Sequence, residues 1–285
     1  MKKAILVAII GAMTLGVNAG DWGKAPVIDK VPIEECYDIG GEISAGYMTD
    51  YIFNGVRFAR DSAWVDVNYT IDSLWAPINV GVWYLNGINP TGPAAGNVLG
   101  GNNLDELDLY ASVGLGSFAG IDATLGYTHY FFPESNIGSY GEVGLDLAYS
   151  LGWVDLTWST DLASTKRGGL GSSASWFHTF GLEREFGITD SVSLVLAAAV
   201  GYSDGYFGPG FYGLTPNAAT PRDSGWNHYS VTASLPIELN CRATLTPYIG
   251  YNGAPDSWVA DGIQGIGGQP QSDILHGGVS LSVSF

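Results

Sequence analysis

The feature that most constrains this chain is a strict period-two alternation of apolar and small polar residues, cleanest at the end. Asp273 to Phe285 reads D-I-L-H-G-G-V-S-L-S-V-S-F. Leu275, Gly277, Val279, Leu281, Val283 and Phe285 share one face. His276, Gly278, Ser280, Ser282 and Ser284 share the other, with Ile274 the exception. Side chains alternate faces along a strand, so one face is apolar and the other polar. A run of about ten such residues matches a tilted strand crossing a bilayer.

The pattern recurs upstream and predicts eleven more strands. They lie at about 42–52, 63–71, 77–85, 105–115, 120–130, 141–149, 153–162, 173–183, 191–202, 227–237 and 242–251. The fourth is clean: Leu107, Leu109, Ala111, Val113 and Leu115 oppose Glu106, Asp108, Tyr110, Ser112 and Gly114. In the first, Ile43, Ala45, Tyr47, Thr49 and Tyr51 share the apolar face. The eighth is ambiguous, because Trp176, Phe177 and His178 interrupt the alternation. Pro247 lies inside the eleventh and lacks a ladder donor, which predicts a bulge or distortion there. Connections after even strands are short. Those after odd strands are longer, at about 53–62, 86–104, 131–140, 163–172, 203–226 and 252–273. Sorting by parity is what a barrel with both ends on one side requires, and a β-sandwich has no reason for it. Aromatic residues gather near strand ends, as interface girdles do.

Met1-Lys2-Lys3, the apolar run Ala4–Leu15 and Val17-Asn18-Ala19 read as a secretory signal peptide over residues 1–19. Its removal leaves 9 Lys+Arg against 28 Asp+Glu. That acidity excludes nucleic acid as a partner. The charged fraction, 14%, is low against the roughly one quarter of soluble domains, yet no later stretch is apolar for about 18 residues. Low charge, 13% aromatics and 41 glycines fit a membrane β-barrel better than a soluble β-sandwich. The expected organisation is a signal peptide at 1–19, a periplasmic N-terminal segment or plug at 20–40, and an up-and-down barrel of about 12 antiparallel strands at 41–285.

The last strand resembles the closing strand of bacterial outer-membrane barrels, whose terminal aromatic belongs to the signal read by the assembly machinery. Gly46 to Arg57, G-Y-M-T-D-Y-I-F-N-G-V-R, resembles the opening motif of the TorF-family porins (the Gcw_chp group). Asp50, Tyr51, Phe53 and Gly55 match its S-D-Y-x-F-R-G-like signature. Thr49 replaces the usual Ser, and Asn54 stands where that family tends to have Arg. The resemblance implies an outer-membrane barrel and names no substrate.

The chemistry-bearing motifs are few. There is no G-x-S-x-G elbow, no C-x-x-C and no H-E-x-x-H, so neither a catalytic centre, a cofactor nor a metal is expected. The nearest approach to a lipase-like arrangement is His178 with Ser173 and Ser175, weaker than a plain rim or interior histidine. The polar faces would line the lumen with Glu42, Asp50, Asp66, Glu106, Asp108, Asp122, Glu142, Asp146, Asp155 and Asp161. Against them stand Arg242 at a turn, with Arg57, Arg60, Lys166, Arg167 and Arg222 in outer loops and Lys24 and Lys30 near the start. The expectation is a narrow porin-like channel for small solutes or cations, in contact with outer-membrane lipid. The alternatives are a non-conducting structural barrel, with those carboxylates packed against inward-folded arginines, and a membrane-embedded hydrolase. Cys36 and Cys241 are the two cysteines; an exported chain is expected to pair them.

Overall fold

The computed structural model describes residues 39–72, 76–90, 104–133, 139–163, 175–207, 224–262 and 273–285. The signal peptide, nearly all of the 20–40 segment, Cys36, Lys24, Lys30, Lys166, Arg167, Ser173 and Arg222 lie outside them. The strands are β1 (Gly41–Phe53), β2 (Val56–Ile71), β3 (Ile78–Pro90), β4 (Leu104–Phe118), β5 (Ile121–Phe131) and β6 (Tyr140–Ser150). They continue with β7 (Asp155–Ala163), β8 (Ser175–Thr189), β9 (Val192–Asp204), β10 (Ser224–Ser234), β11 (Ile237–Glu238), β12 (Ala243–Gly253) and β13 (Ile274–Ser284). A one-turn helix, α1 (Val259–Gly262), lies between the last two.

Apart from β10 and β11, each strand pairs antiparallel with its sequence neighbour, and β13 pairs with β1 through Glu42↔Ser284 to Met48↔Gly278. The two-residue β11 continues the line of β10 and shares its partners, β9 and β12. The sheet is therefore a closed barrel of 12 strand positions with no free edge. Phe285 seals the seam: its amide donates to Gly41 O (2.9 Å), and its carbonyl accepts from Ile39 and Gly41 (3.0 and 3.2 Å).

The alternation has the expected sense. Ile43, Val67, Val82, Leu109, Leu125, Val143, Leu182, Val231, Leu281 and many like them are exposed, forming a continuous apolar outer band. Ser, Thr, Asn, Asp and Glu on the other face are buried. A soluble protein does not tolerate so large an apolar surface, and a closed sheet satisfies its backbone groups without water; the fold is a transmembrane β-barrel. No described helix is long and apolar enough to cross a membrane. The barrel has a turn end, holding Ile39 and Phe285, and a loop end. Exposed Tyr69, Phe118, Tyr149, Trp153 and Phe186 ring the turn end, while Tyr47, Tyr84, Tyr127, Trp176 and Trp226 ring the loop end.

Three expectations need correction. The first loop-end connection is the shortest at that end of the barrel, not a loop over 53–62. Asn54 (φ 48°) and Gly55 (φ 79°) make a two-residue turn between the paired residues Phe53 and Val56. Positive φ at both positions is what a type I′ hairpin needs, and Asn-Gly is its preferred dipeptide. Pro247 causes no register shift: it sits opposite Val279 on an unbroken β12–β13 ladder. The interruption falls on the neighbouring strand, at Leu235–Pro236, where Leu235 still donates to Pro247 O (3.0 Å) but Pro247 has no proton to return. Finally, Tyr51 is buried rather than on the outer face. The extra residue Phe58 opposite the Tyr51/Ile52 step kinks the hairpin and ends the alternation.

Candidate functional site

Beyond that kink the β1–β2 tip turns into the barrel mouth. Phe53, Asn54, Gly55, Val56, Arg57, Phe58 and Ala59 are all buried. Phe53 packs on Phe58, Tyr130 and Tyr206, with ring centroids 6.0 to 6.3 Å apart. Asn227 Nδ2 donates to Asn54 O (2.5 Å), and Asn252 Nδ2 donates to Gly55 O (3.2 Å). A Cβ on Gly55 would lie 2.4 Å from the His228 ring, so the tip seats there because Gly has none. The tip thus reaches β5 on one side and β10 on the other, each three strand positions away around the wall. The four matching motif residues all work here. Asp50 makes a close ion pair with Arg57 (Nε to Oδ1, 2.8 Å) and faces Arg60 at 4.0 Å. Tyr51 donates to Glu106 (2.8 Å), Phe53 is the wedge and Gly55 the turn. Arg57, expected in an outer loop, is therefore folded inward.

Below the tip, the expected carboxylates separate into groups. Asp66, Glu106, Asp108, Glu142, Asp146 and Asp161 line one side of the wall, from β2 to β7, and all but half-buried Asp66 are buried. Tyrosine hydroxyls donate to three of them, Glu106 through Tyr51 as above. Tyr110 donates to both Asp66 oxygens (2.6 Å each), Tyr130 to Glu142 Oε2 (3.1 Å), and Tyr206 to Glu142 Oε1. Neither Asp108 oxygen has a hydrogen-bond partner, nor does Asp146 Oδ1. The described ion pairs are those of Asp50 alone, so no described Lys or Arg pairs with this group. Glu42 and Asp155 are half-buried near the turn end, and Asp122 is exposed there. The opposite side is neutral by comparison, with His228, His276, Ser230, Thr232 and Asn252 buried.

The sequence reading missed Glu183, which pairs directly with Asp155 across β7–β8. Its signal was hidden by the ambiguity of β8, which the structure resolves. Phe177 is fully buried, while Trp176, Phe180 and Leu182 are exposed, so odd-numbered residues face inward. His178 then lies on the outer face, 6.2 Å from Trp158 and 6.3 Å from Trp176, while Ser175 is buried on the other face. A serine on the opposite side of the wall cannot hand its proton to that imidazole. Cys241 is exposed in the turn between β11 and β12. Among the described residues no three His, Cys, Asp or Glu side chains converge to hold a metal ion.

No family model matches the sequence, and no curated protein matches it, so the TorF-family resemblance rests on residues 46–57. Solved structures do match. An outer-membrane channel from Pseudomonas putida F1 superposes with a TM-score of 0.54 at 11% identity, covering 90% of this chain and 100% of that one. The KdgM porin matches at 0.48 and 6% identity, covering 86% and 99%. The NanC porin matches at 0.46 and 9%, covering 86% and 98%. The first of these likenesses shows a shared barrel fold.

Proposed function

We propose that this chain is a narrow porin-like channel of a Gram-negative outer membrane, with an acidic, cation-preferring interior. The observation that carries the reading is the run of carboxylates on the buried face of β4–β7, inside a closed wall whose outer face is apolar. Carboxylates behind a low-dielectric wall raise the local cation concentration, and carboxylate rings are a common means of cation selection. The barrel fold shared with an outer-membrane channel supports the same reading. In this orientation the turn end is periplasmic, the final strand engages the assembly machinery, and Cys36 and Cys241 meet on the periplasmic side as a disulfide. The proposal is tested by reversal potential in planar bilayers across a salt gradient. A cation-selective current is expected; an anion-selective one refutes the assignment of the interior.

A second reading has its own observation. The β1–β2 tip fills the loop-end mouth with Phe53, Phe58, Tyr130 and Tyr206. A barrel so closed is a structural or surface-interaction protein unless the tip moves. Absence of current from the native chain, with current from a chain whose tip is undocked, identifies the tip as a gate. Absence from both supports the structural reading.

A further inference from the structure

Between β4 and β7 the interior holds a small cavity of about 20 Å3, enough for one water-sized group. Its position follows from two glycines. Gly126 and Gly144 pair directly across β5–β6, so two neighbouring inward positions carry no side chain. A Cβ on Gly126 would find nothing nearer than 3.9 Å. A Cβ on Gly144 would lie 2.8 Å from Asp161 Oδ1, so the Asp161 carboxylate leans over the space Gly144 leaves. Glu142, Asp146 and Asp161 border the cavity, with Tyr110, Thr128 and Tyr130 around them. Asp146 is 3% exposed, and its Oδ1 has no hydrogen-bond partner. Three carboxylates on one small space, one oxygen unmatched, call for a donor that is also a cation.

We propose that this cavity binds the ammonium head of a small primary amine. The argument for that class is one of fit. An –NH3+ group is compact and offers three donors, one for the unmatched Asp146 Oδ1 and two for other oxygens lining the cavity. Its hydrogen bonds to carboxylate are charge-assisted and short, suiting a cavity of this size. A bare metal ion fits poorly, because the carboxylates do not converge as ligands. A quaternary ammonium fits poorly too, having no N–H and a larger head. The inference rests on reading the carboxylate face as an interior that solutes reach, and it adds the class of solute.

The test is isothermal titration calorimetry of the purified full-length barrel in detergent, with propylammonium, tetramethylammonium and sodium chlorides as probes. Propylammonium should bind saturably, and the other two at least about tenfold more weakly, from the loss of charge-assisted hydrogen bonds. Asp146→Asn should weaken propylammonium by about tenfold or more. Gly126→Val should abolish binding by filling the cavity, with the heat-modifiable gel band and the β-sheet circular dichroism unchanged. Equal binding of tetramethylammonium, or propylammonium binding untouched by either substitution, overturns the proposal. Calorimetry needs no current. A barrel that binds propylammonium and carries no current, either native or with its tip undocked, retains the site and refutes the channel. A barrel that conducts cations without binding propylammonium refutes the site alone.

Discussion

Gly55→Ala is the sharpest perturbation of the inward-folded tip. Gly55 has φ 79°, a left-handed conformation that costs an L-residue about 1–2 kcal/mol. The new Cβ would stand 2.4 Å from His228 Cγ and 2.5 Å from Nδ1, and relieving such overpacking typically costs about 1–3 kcal/mol. His228 has little room to retreat. It is buried, hydrogen-bonded to Asn227 Nδ2 (2.9 Å) and stacked on Phe177 at 6.1 Å. The docked tip should thus lose about 2–5 kcal/mol, a change of about 30-fold or more in its docking equilibrium. Hydrogen exchange read by mass spectrometry measures this. Exchange over residues 51–59 should accelerate by about 30-fold or more, while the β6–β7 ladder keeps its protection. His228→Ala in the Gly55→Ala background should restore the steric part and leave the backbone part, giving a coupling of about 1–3 kcal/mol in the double-mutant cycle. Unchanged exchange over the tip would refute the docking geometry. Zero coupling would refute contact with His228.

Three other outcomes are expected. Arg57→Met leaves the Asp50 carboxylate, whose side chain is 10% exposed, without its close partner. It should cost about 3–5 kcal/mol, most of it recovered in Asp50→Leu/Arg57→Met, read from the temperature at which the gel band converts. Deleting Phe285 removes three backbone hydrogen bonds from the β1–β13 seam and the ring lying over Gly41, and should lower the yield of heat-modifiable barrel; unaltered assembly would contradict that role. Thiol titration of the denatured, unreduced chain should find no free thiol, since a Cys36–Cys241 bond closing about 200 residues adds about 5 kcal/mol in the chain-entropy account. Two free thiols per chain would refute the pairing.

The wall was legible in the sequence because a barrel strand has two chemically different sides, and parity sorts its residues onto them. That logic placed Asp108, Glu142, Asp146 and Asp161 on the buried side. It failed where parity breaks. Tyr51 sits on the apolar face by counting, yet the bulge at Phe58 turns the tip, and with it Tyr51, toward Glu106. The Asn54-Gly55 hairpin signal was present in the sequence, but parity alone assigned a long loop there. Clustering was not legible either. Alternation says which side a carboxylate takes but not which neighbours it meets around the wall. The Gly126–Gly144 pair depends on cross-strand register, which no single strand displays.

The most direct test of the account compares reversal potentials of the native chain and of one carrying Glu106→Gln, Asp108→Asn, Glu142→Gln, Asp146→Asn and Asp161→Asn. Both are recorded in planar bilayers with the tip released by Gly55→Ala. If the buried carboxylate wall sets selectivity, the native interior should be cation-selective, and the neutralised interior should move toward the value of a non-selective pore. An unchanged cation preference after neutralisation, or an anion preference before it, would contradict the account.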